Sequence, residues 1–167
     1  DDMAFRRLYV EAIIRQNAAD NDMQFQLSEN GELCSIALAS RLGEHTPWYI
    51  WWQEKFDALP EEYRKMFSIS REYLSMMDEK TYRYMNKDDV KLSLFVSTKA
   101  GWGKPVLEGA MDFFRSKGFK NIYLWTDCEC NVDWYVSRGY ELVEEGTYEP
   151  FSTPEEPYKT FIFRKNL

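Results

Sequence analysis

Apolar residues recur along this chain at two spacings, and the change from one to the other divides it into segments. Between Asp1 and about Ala19, the residues Phe5, Leu8, Tyr9, Ala12 and Ile13 keep the spacing of one helix face, behind acidic residues that suit the positive end of a helix dipole. The run MQFQLSENGELCSIALASRL gives two strand-like stretches instead, and Asn30-Gly31 between them readily supplies the positive φ angles of a tight turn, which predicts a β-hairpin. From Trp48 to Met85 helix formers return, mixed with many aromatics, and Pro60 followed by Glu61 and Glu62 marks a helix start. Two or three helices are expected there. DVKLSLFVS has Leu92, Leu94 and Val96 on one side and Phe95 on the other, so it reads as a strand covered on both faces and therefore central.

The second half repeats the alternation of strand and helix. Pro105 suits the first turn of a helix whose buried stripe is Val106, Leu107, Ala110, Phe113 and Phe114, and Gly118 stops it. NIYLWTD is another buried strand, CNVDWYVSRG a short helix ended by Gly139, and YELVEEGTYEP and YKTFIFRKN are strands flanking the turn FSTPEEP. This order predicts one domain over 1–167 with an α/β or α+β architecture, free of repeats and low-complexity linkers.

Composition narrows the partners. At 167 residues and 44% apolar content the chain is long enough to bury one sizeable core. A formal charge of -7 opposes nucleic acid and anionic membrane surfaces and favours a cationic partner. No run approaches the roughly 18 to 20 apolar residues of a membrane span, and DDMAFRR lacks a signal-peptide layout. Three cysteines, Cys34, Cys128 and Cys130, form an odd set that suits a reducing compartment, so a cytoplasmic location is expected. The opening on Asp1 rather than Met raises the expectation of a trimmed start.

The densest chemical signal is STKAGWGKP, a Gly-x-Gly turn between a buried strand and an amphipathic helix. Such a turn points several backbone N–H groups one way at the positive end of a helix dipole, which is a phosphate-binding geometry. Glycine serves there because a Cβ blocks both the left-handed backbone angles and the approach of the ligand. Lys99 and Lys104 flank the turn. Two common fingerprints do not fit: Val106 stands where a dinucleotide motif needs its third glycine, and Lys104 is followed by Pro105 where a P-loop needs Ser or Thr.

Thr98-Lys99-Ala100-Gly101-Trp102-Gly103 resembles the [Q/R]-x-x-G-x-[G/A] loop of the GNAT superfamily of N-acetyltransferases, with Thr98 where Gln or Arg is usual and a loop that looks short. The likeness continues through the helix KPVLEGAMDFFRSKGF, the strand NIYLWT and WYVSRGYELV, and the hairpin resembles the family's second and third strands. The family's usual first strand and one helix are missing. The resemblance implies a mixed, mostly antiparallel sheet flanked by helices, with a helical, aromatic-rich insert before the central strand. It also implies acetyl-coenzyme A as cofactor, with Lys99, Ala100, Gly101, Trp102, Gly103 and Lys104 at its pyrophosphate and Asn131 at its pantetheine arm. A backbone N–H near Phe95 or Val96 would take the oxyanion, in a strand splayed from its neighbour, and Tyr135 would act as general acid toward the sulfur.

Other residues are less sharply marked. Glu44, His45, Glu54 and Asp127 are all candidates for a general base, and none is singled out. Three cysteines and one distant histidine give no recognised zinc spacing, no basic neighbour marks a reactive thiol, and no metal is expected. The patch Trp48, Tyr49, Trp51, Trp52 and Phe56 is either core or a wall over an acceptor pocket, which would favour amines with apolar or aromatic bulk. The expected activity is acetyl or short-acyl transfer to a primary amine of a small molecule or peptide. The alternative is a non-catalytic acyl-coenzyme A or small-ligand binding module on the same scaffold. Exposed strands and aromatics permit a homodimer.

Overall fold

The computed structural model describes residues 3–18, 23–44 and 48–167, apart from the side chains of 48–50. The elements are α1 (Met3–Asn17), β1 (Gln24–Glu29), β2 (Glu32–Arg41), α2 (Trp48–Asp57), α3 (Glu61–Tyr82), β3 (Asp89–Ser97), α4 (Gly103–Ser116), β4 (Asn121–Asp127), α5 (Val132–Val136), β5 (Glu141–Thr147) and β6 (Lys159–Asn166), with one short 3-10 turn at Glu149–Phe151. The six strands form one sheet in the order β1-β2-β3-β4-β6-β5. Only β3 and β4 run parallel, and every other neighbouring pair is antiparallel. The expected mixed, mostly antiparallel sheet, with helices α2 and α3 inserted before a central β3, is the one observed.

Local chemistry accounts for the connections. The β1–β2 turn carries Asn30 at φ 52° and Gly31 at φ 84°, the two positive angles that its dipeptide tolerates. α4 buries Val106, Leu107, Ala110, Met111 and Phe114 along one stripe. That stripe meets Val90, Leu92, Ile122, Leu124 and Phe163 of the sheet, forming the main core. On the opposite sheet face α3 sets Tyr73 and Met77 against Ile162 and Trp125. A third, smaller cluster joins α1, α2 and α3 through Ala12, Trp52 and Phe67.

One detail of the sequence reading is corrected. Strict alternation puts Phe95 opposite Leu92, yet both pack into the α4-side core. The register shifts between Leu38↔Leu94 and Ala39↔Leu92, so Ser93 is an extra residue in β3, and this bulge returns Phe95 to the face of Leu92. No described helix is long and apolar enough to cross a membrane.

Candidate functional site

The bulge coincides with a fork in the sheet. β3 and β4 are in register only from Asp89↔Asn121 to Lys91↔Tyr123. Beyond that point β3 stays on β2 as far as Ser35↔Ser97, while β4 stays on β6 as far as Asp127↔Thr160. Each arm is fastened outward at its tip, by Thr98 N–H donating to Cys34 O at 2.9 Å and by Cys128 N–H donating to Lys159 O at 3.0 Å. The two central strands therefore part toward their C-terminal ends.

Hydrogen-bond alternation decides which amides face the opening. Because Thr98 donates to the residue opposite it on β2, the residues that bond β2 in this stretch are Thr98, Val96 and Leu94. Ser35 Oγ donating to Val96 O at 3.0 Å agrees with this parity. The N–H and C=O of Phe95 consequently turn away from β2, toward the side where no β4 residue is in register. Of the two sequence candidates for an oxyanion donor, Phe95 rather than Val96 has the orientation.

The glycine turn sits at the tip of the β3 arm. Gly101 adopts φ +89°, and an added Cβ at Gly103 would lie 2.8 Å from Phe95 Cζ, so both glycines are dictated by backbone geometry and close packing. α4 begins at Gly103 with no side-chain cap and no acid in its first turn, so the positive end of its dipole faces outward uncompensated. The flanking lysines have exposed partners: Lys99 Nζ lies 3.2 Å from Glu29 and Lys104 Nζ 3.7 Å from Glu108. Ala100 is exposed, and Trp102 is half-buried at the N-cap.

Tyr135 and Asn131 approach from the far side of the fork, on and before α5. Asn131 caps that helix, its Oδ1 accepting from Trp134 N–H at 3.1 Å. Tyr135 packs edge-on to Tyr140 and parallel to Phe163. Burial, and secondarily the neighbouring Cys130 thiol, push its phenol up to about 12. Trp134 meets Phe95 with ring centroids 5.4 Å apart, so two rings close the α4 face of the fork. Arg138 stacks over Trp134 at 3.8 Å.

Between α4 and α5 runs a groove lined by Lys104, Leu107, Glu108, Met111, Trp134, Arg138, Tyr140 and Lys165. Tyr140 is only 4% exposed and its hydroxyl has no hydrogen-bond partner. The orphaned phenol shares the groove with Lys104, Arg138 and Lys165 and with Glu108, which pairs with Lys104, a lining suited to a polar ligand group. Sequence reading singled out none of Arg138, Tyr140 and Lys165, although the first two lie within WYVSRGYELV.

The α3 face of the fork is polar. Asp127 ends the β4 arm, where its carboxylate accepts from Tyr73 OH at 3.1 Å and from Glu129 N–H at 3.2 Å. Tyr158 adjoins the same carboxylate, and burial together with that charge raises both phenols, so Tyr73 and Tyr158 stay protonated. Among the other base candidates, Glu44 is engaged by Arg41 through its backbone N–H at 2.9 Å and its guanidinium at 3.4 Å. Glu54 is exposed on α2, and His45 lies outside the described residues. Of the three described candidates, Asp127 is the one placed at the fork. Cys34 is buried whereas Cys128 and Cys130 are exposed, and no three acidic, histidine or cysteine side chains gather as a metal site among the described residues.

The aromatic insert makes both a core and a cavity. Trp52 packs on Phe56 and Phe67, and a small cavity of about 100 Å³ opens between α1, α2 and α3, lined by Tyr9, Trp52, Phe56, Phe67 and Leu74 with a few polar groups. The side chains of Trp48 and Tyr49 lie outside the described set.

No protein-family model and no curated protein matches the sequence. Solved structures do match. An acetyltransferase of the GNAT family from Streptococcus pneumoniae superposes with a TM-score of 0.52 at 12% identity, over 90% of this chain and 71% of its own. The Drosophila melanogaster polyamine N-acetyltransferase, which forms N-acetylagmatine, gives 0.52 at 14% identity over 87% and 75%. The C-terminal condensation domain of Ebony, solved with β-alanyl-dopamine, gives 0.58 at 9% identity over 98% and 78%. The fold is that of the GNAT N-acetyltransferases.

Proposed function

We propose that the protein transfers an acetyl group, or another short acyl group, from acetyl-coenzyme A to a primary amine. The fork between β3 and β4 is the observation that carries this reading, because it combines an open slot with a backbone donor, Phe95 N–H, turned into it. The amides at the start of α4, with Lys99 and Lys104, hold the pyrophosphate. The α4–α5 groove, with Arg138, Tyr140 and Lys165, takes polar parts of the same ligand, and the Asn131 side-chain NH₂ and the Trp134 edge contact its pantetheine arm.

Acyl transfer by direct attack needs no covalent enzyme intermediate. The ammonium first loses a proton to solvent; the neutral amine nitrogen then forms a bond to the thioester carbon, the carbon–sulfur bond breaks, a second amine proton leaves to solvent, and the acid that protonates the sulfur regains its proton from solvent. Phe95 N–H donates to the carbonyl oxygen as negative charge grows there. Tyr135, protonated at neutral pH, gives its proton to the departing sulfur. Asp127, ringed by Tyr73, Tyr158 and Trp125, attracts the ammonium form of the acceptor to the mouth of the fork, in keeping with the chain's acidic balance. Amines with a cationic or aromatic body, the kind found with two of the structural neighbours, are the first acceptors to try.

Melting curves with and without acetyl-coenzyme A, followed by thiol release over a panel of agmatine, polyamines, arylalkylamines and peptide N-termini, test the assignment. A stabilising shift and acceptor-dependent release of free thiol are expected. Absence of any shift overturns the cofactor, and a shift without release from any acceptor makes the protein a binding module instead of an enzyme.

A further inference from the structure

A lysine in the middle of a buried strand needs an explanation, because taking an ammonium out of water is costly unless it is paired. Lys91 is 2% exposed, and its Nζ lies 2.7 Å from Asp78 Oδ1 on α3 and 4.8 Å from the centroid of the Tyr82 ring. It is also the last β3 residue in register with β4, opposite Tyr123. The same Asp78 Oδ1 accepts from Trp125 Nε1–H at 2.7 Å. Trp125 stands two residues beyond Tyr123, on the β4 arm that has already left β3 and is paired with Ile162 of β6. One carboxylate oxygen on α3 thus takes an ion pair from β3 and a hydrogen bond from β4 at the level where the two strands separate.

We propose that Asp78 is a positioning residue for the cleft: by tying Lys91 to Trp125 it sets where β3 and β4 stop pairing and how far apart the arms stand. A well-packed apolar pair of similar volume usually stabilises a fold as well as a buried ion pair does, so stability alone gives no reason for these charges. Fixed direction gives one. An ion pair and a hydrogen bond on one oxygen fix its distance to both strands, whereas aliphatic packing at the same place would leave Leu92 to Leu94 free to pair on toward Leu124 and Trp125.

Two variants of the full chain test this. Lys91→Met combined with Asp78→Leu removes the clamp while keeping the site filled, and Trp125→Phe releases the β4 arm alone. Amide hydrogen exchange of the cofactor-free protein is read over residues 92–97 and 124–127, and acetyl-coenzyme A affinity is read by calorimetry. For the double variant, a melting temperature near that of the wild type is expected, with exchange in those two segments altered about tenfold and affinity weakened about tenfold. Trp125→Phe should change both readouts in the same sense, by about threefold. Unchanged exchange, or altered exchange with affinity held, overturns the proposal; if the double variant does not fold, Trp125→Phe decides on the same readouts. The affinity arm rests on the coenzyme reading. A wild-type protein that binds no acetyl-coenzyme A would end that reading, while the exchange arm still decides the clamp.

Discussion

The two faces of the fork are built from opposite materials. On the α4 face Phe95 and Trp134 meet ring to ring, and Gly103 packs onto Phe95 with no room for a side chain. On the α3 face Asp78 holds Lys91 by an ion pair and Trp125 by a hydrogen bond, and Asp127 holds Tyr73 by a hydrogen bond. Dispersion contacts between rings have no fixed direction, so they can slide apart to admit a flexible arm and close behind it. Hydrogen bonds and ion pairs to partly buried carboxylates weaken when displaced, so they hold a shape. Under the proposed function, the contrast gives admission of the coenzyme to one face and constancy of the opening to the other.

Changes on the α3 face should be the most damaging to the fold. Asp78→Ala leaves the Lys91 charge buried without its partner, and a loss of about 3–5 kcal/mol in urea unfolding is expected. A loss below about 1 kcal/mol would show that the pair is solvated and would erase the contrast.

Chemistry should respond to the α4 side. Tyr135→Phe is expected to lower kcat about a hundredfold while acetyl-coenzyme A affinity is kept. Because burial pushes this phenol up to about 12, it remains protonated through the neutral and mildly alkaline range, and the rate should show no loss from it below about pH 10. The sign for stability follows. The folded value lies above the unfolded value of about 10, so the contribution is complete below pH 10 and is lost as the pH rises from there toward 12. Urea midpoints should accordingly fall between pH 9 and pH 11 more steeply in the wild type than in Tyr135→Phe.

Smaller effects sharpen the division. Asp127→Asn is expected to raise KM for cationic amines about tenfold with kcat and acetyl-coenzyme A affinity held, and steady-state kinetics with a neutral acceptor as control reads this. Lys99→Ala breaks an ion pair whose side chains are 49% and 47% exposed, so it should cost no more than about 1 kcal/mol of stability. Its visible effect should be a modest loss of cofactor affinity in low salt.

Much of the scaffold could be read from local pattern because each signal had a local cause. Asn30-Gly31 encodes its own turn, the stripe Val106 to Phe114 encodes a one-sided helix, and Gly101 and Gly103 answer to backbone angles and a close contact. The fork could not be read that way. It depends on Ser93 as an extra residue, which appears only when β3 is laid against β2, and strict alternation therefore turned Phe95 to the wrong face. Asp78 stands 13 residues before Lys91 and 47 before Trp125, so only the fold brings the three together. A charged residue inside the otherwise apolar run DVKLSLF was the available sign that a buried partner existed.

The most direct measurement is a titration of isotope-labelled protein with coenzyme A, followed by backbone amide resonances. Saturable shifts are expected at Phe95, at Gly101 through Lys104 and at Trp134 and Tyr135, the residues that frame the slot and its approach. Shifts confined to the cavity between α1, α2 and α3, or no saturable shift at all, would contradict this.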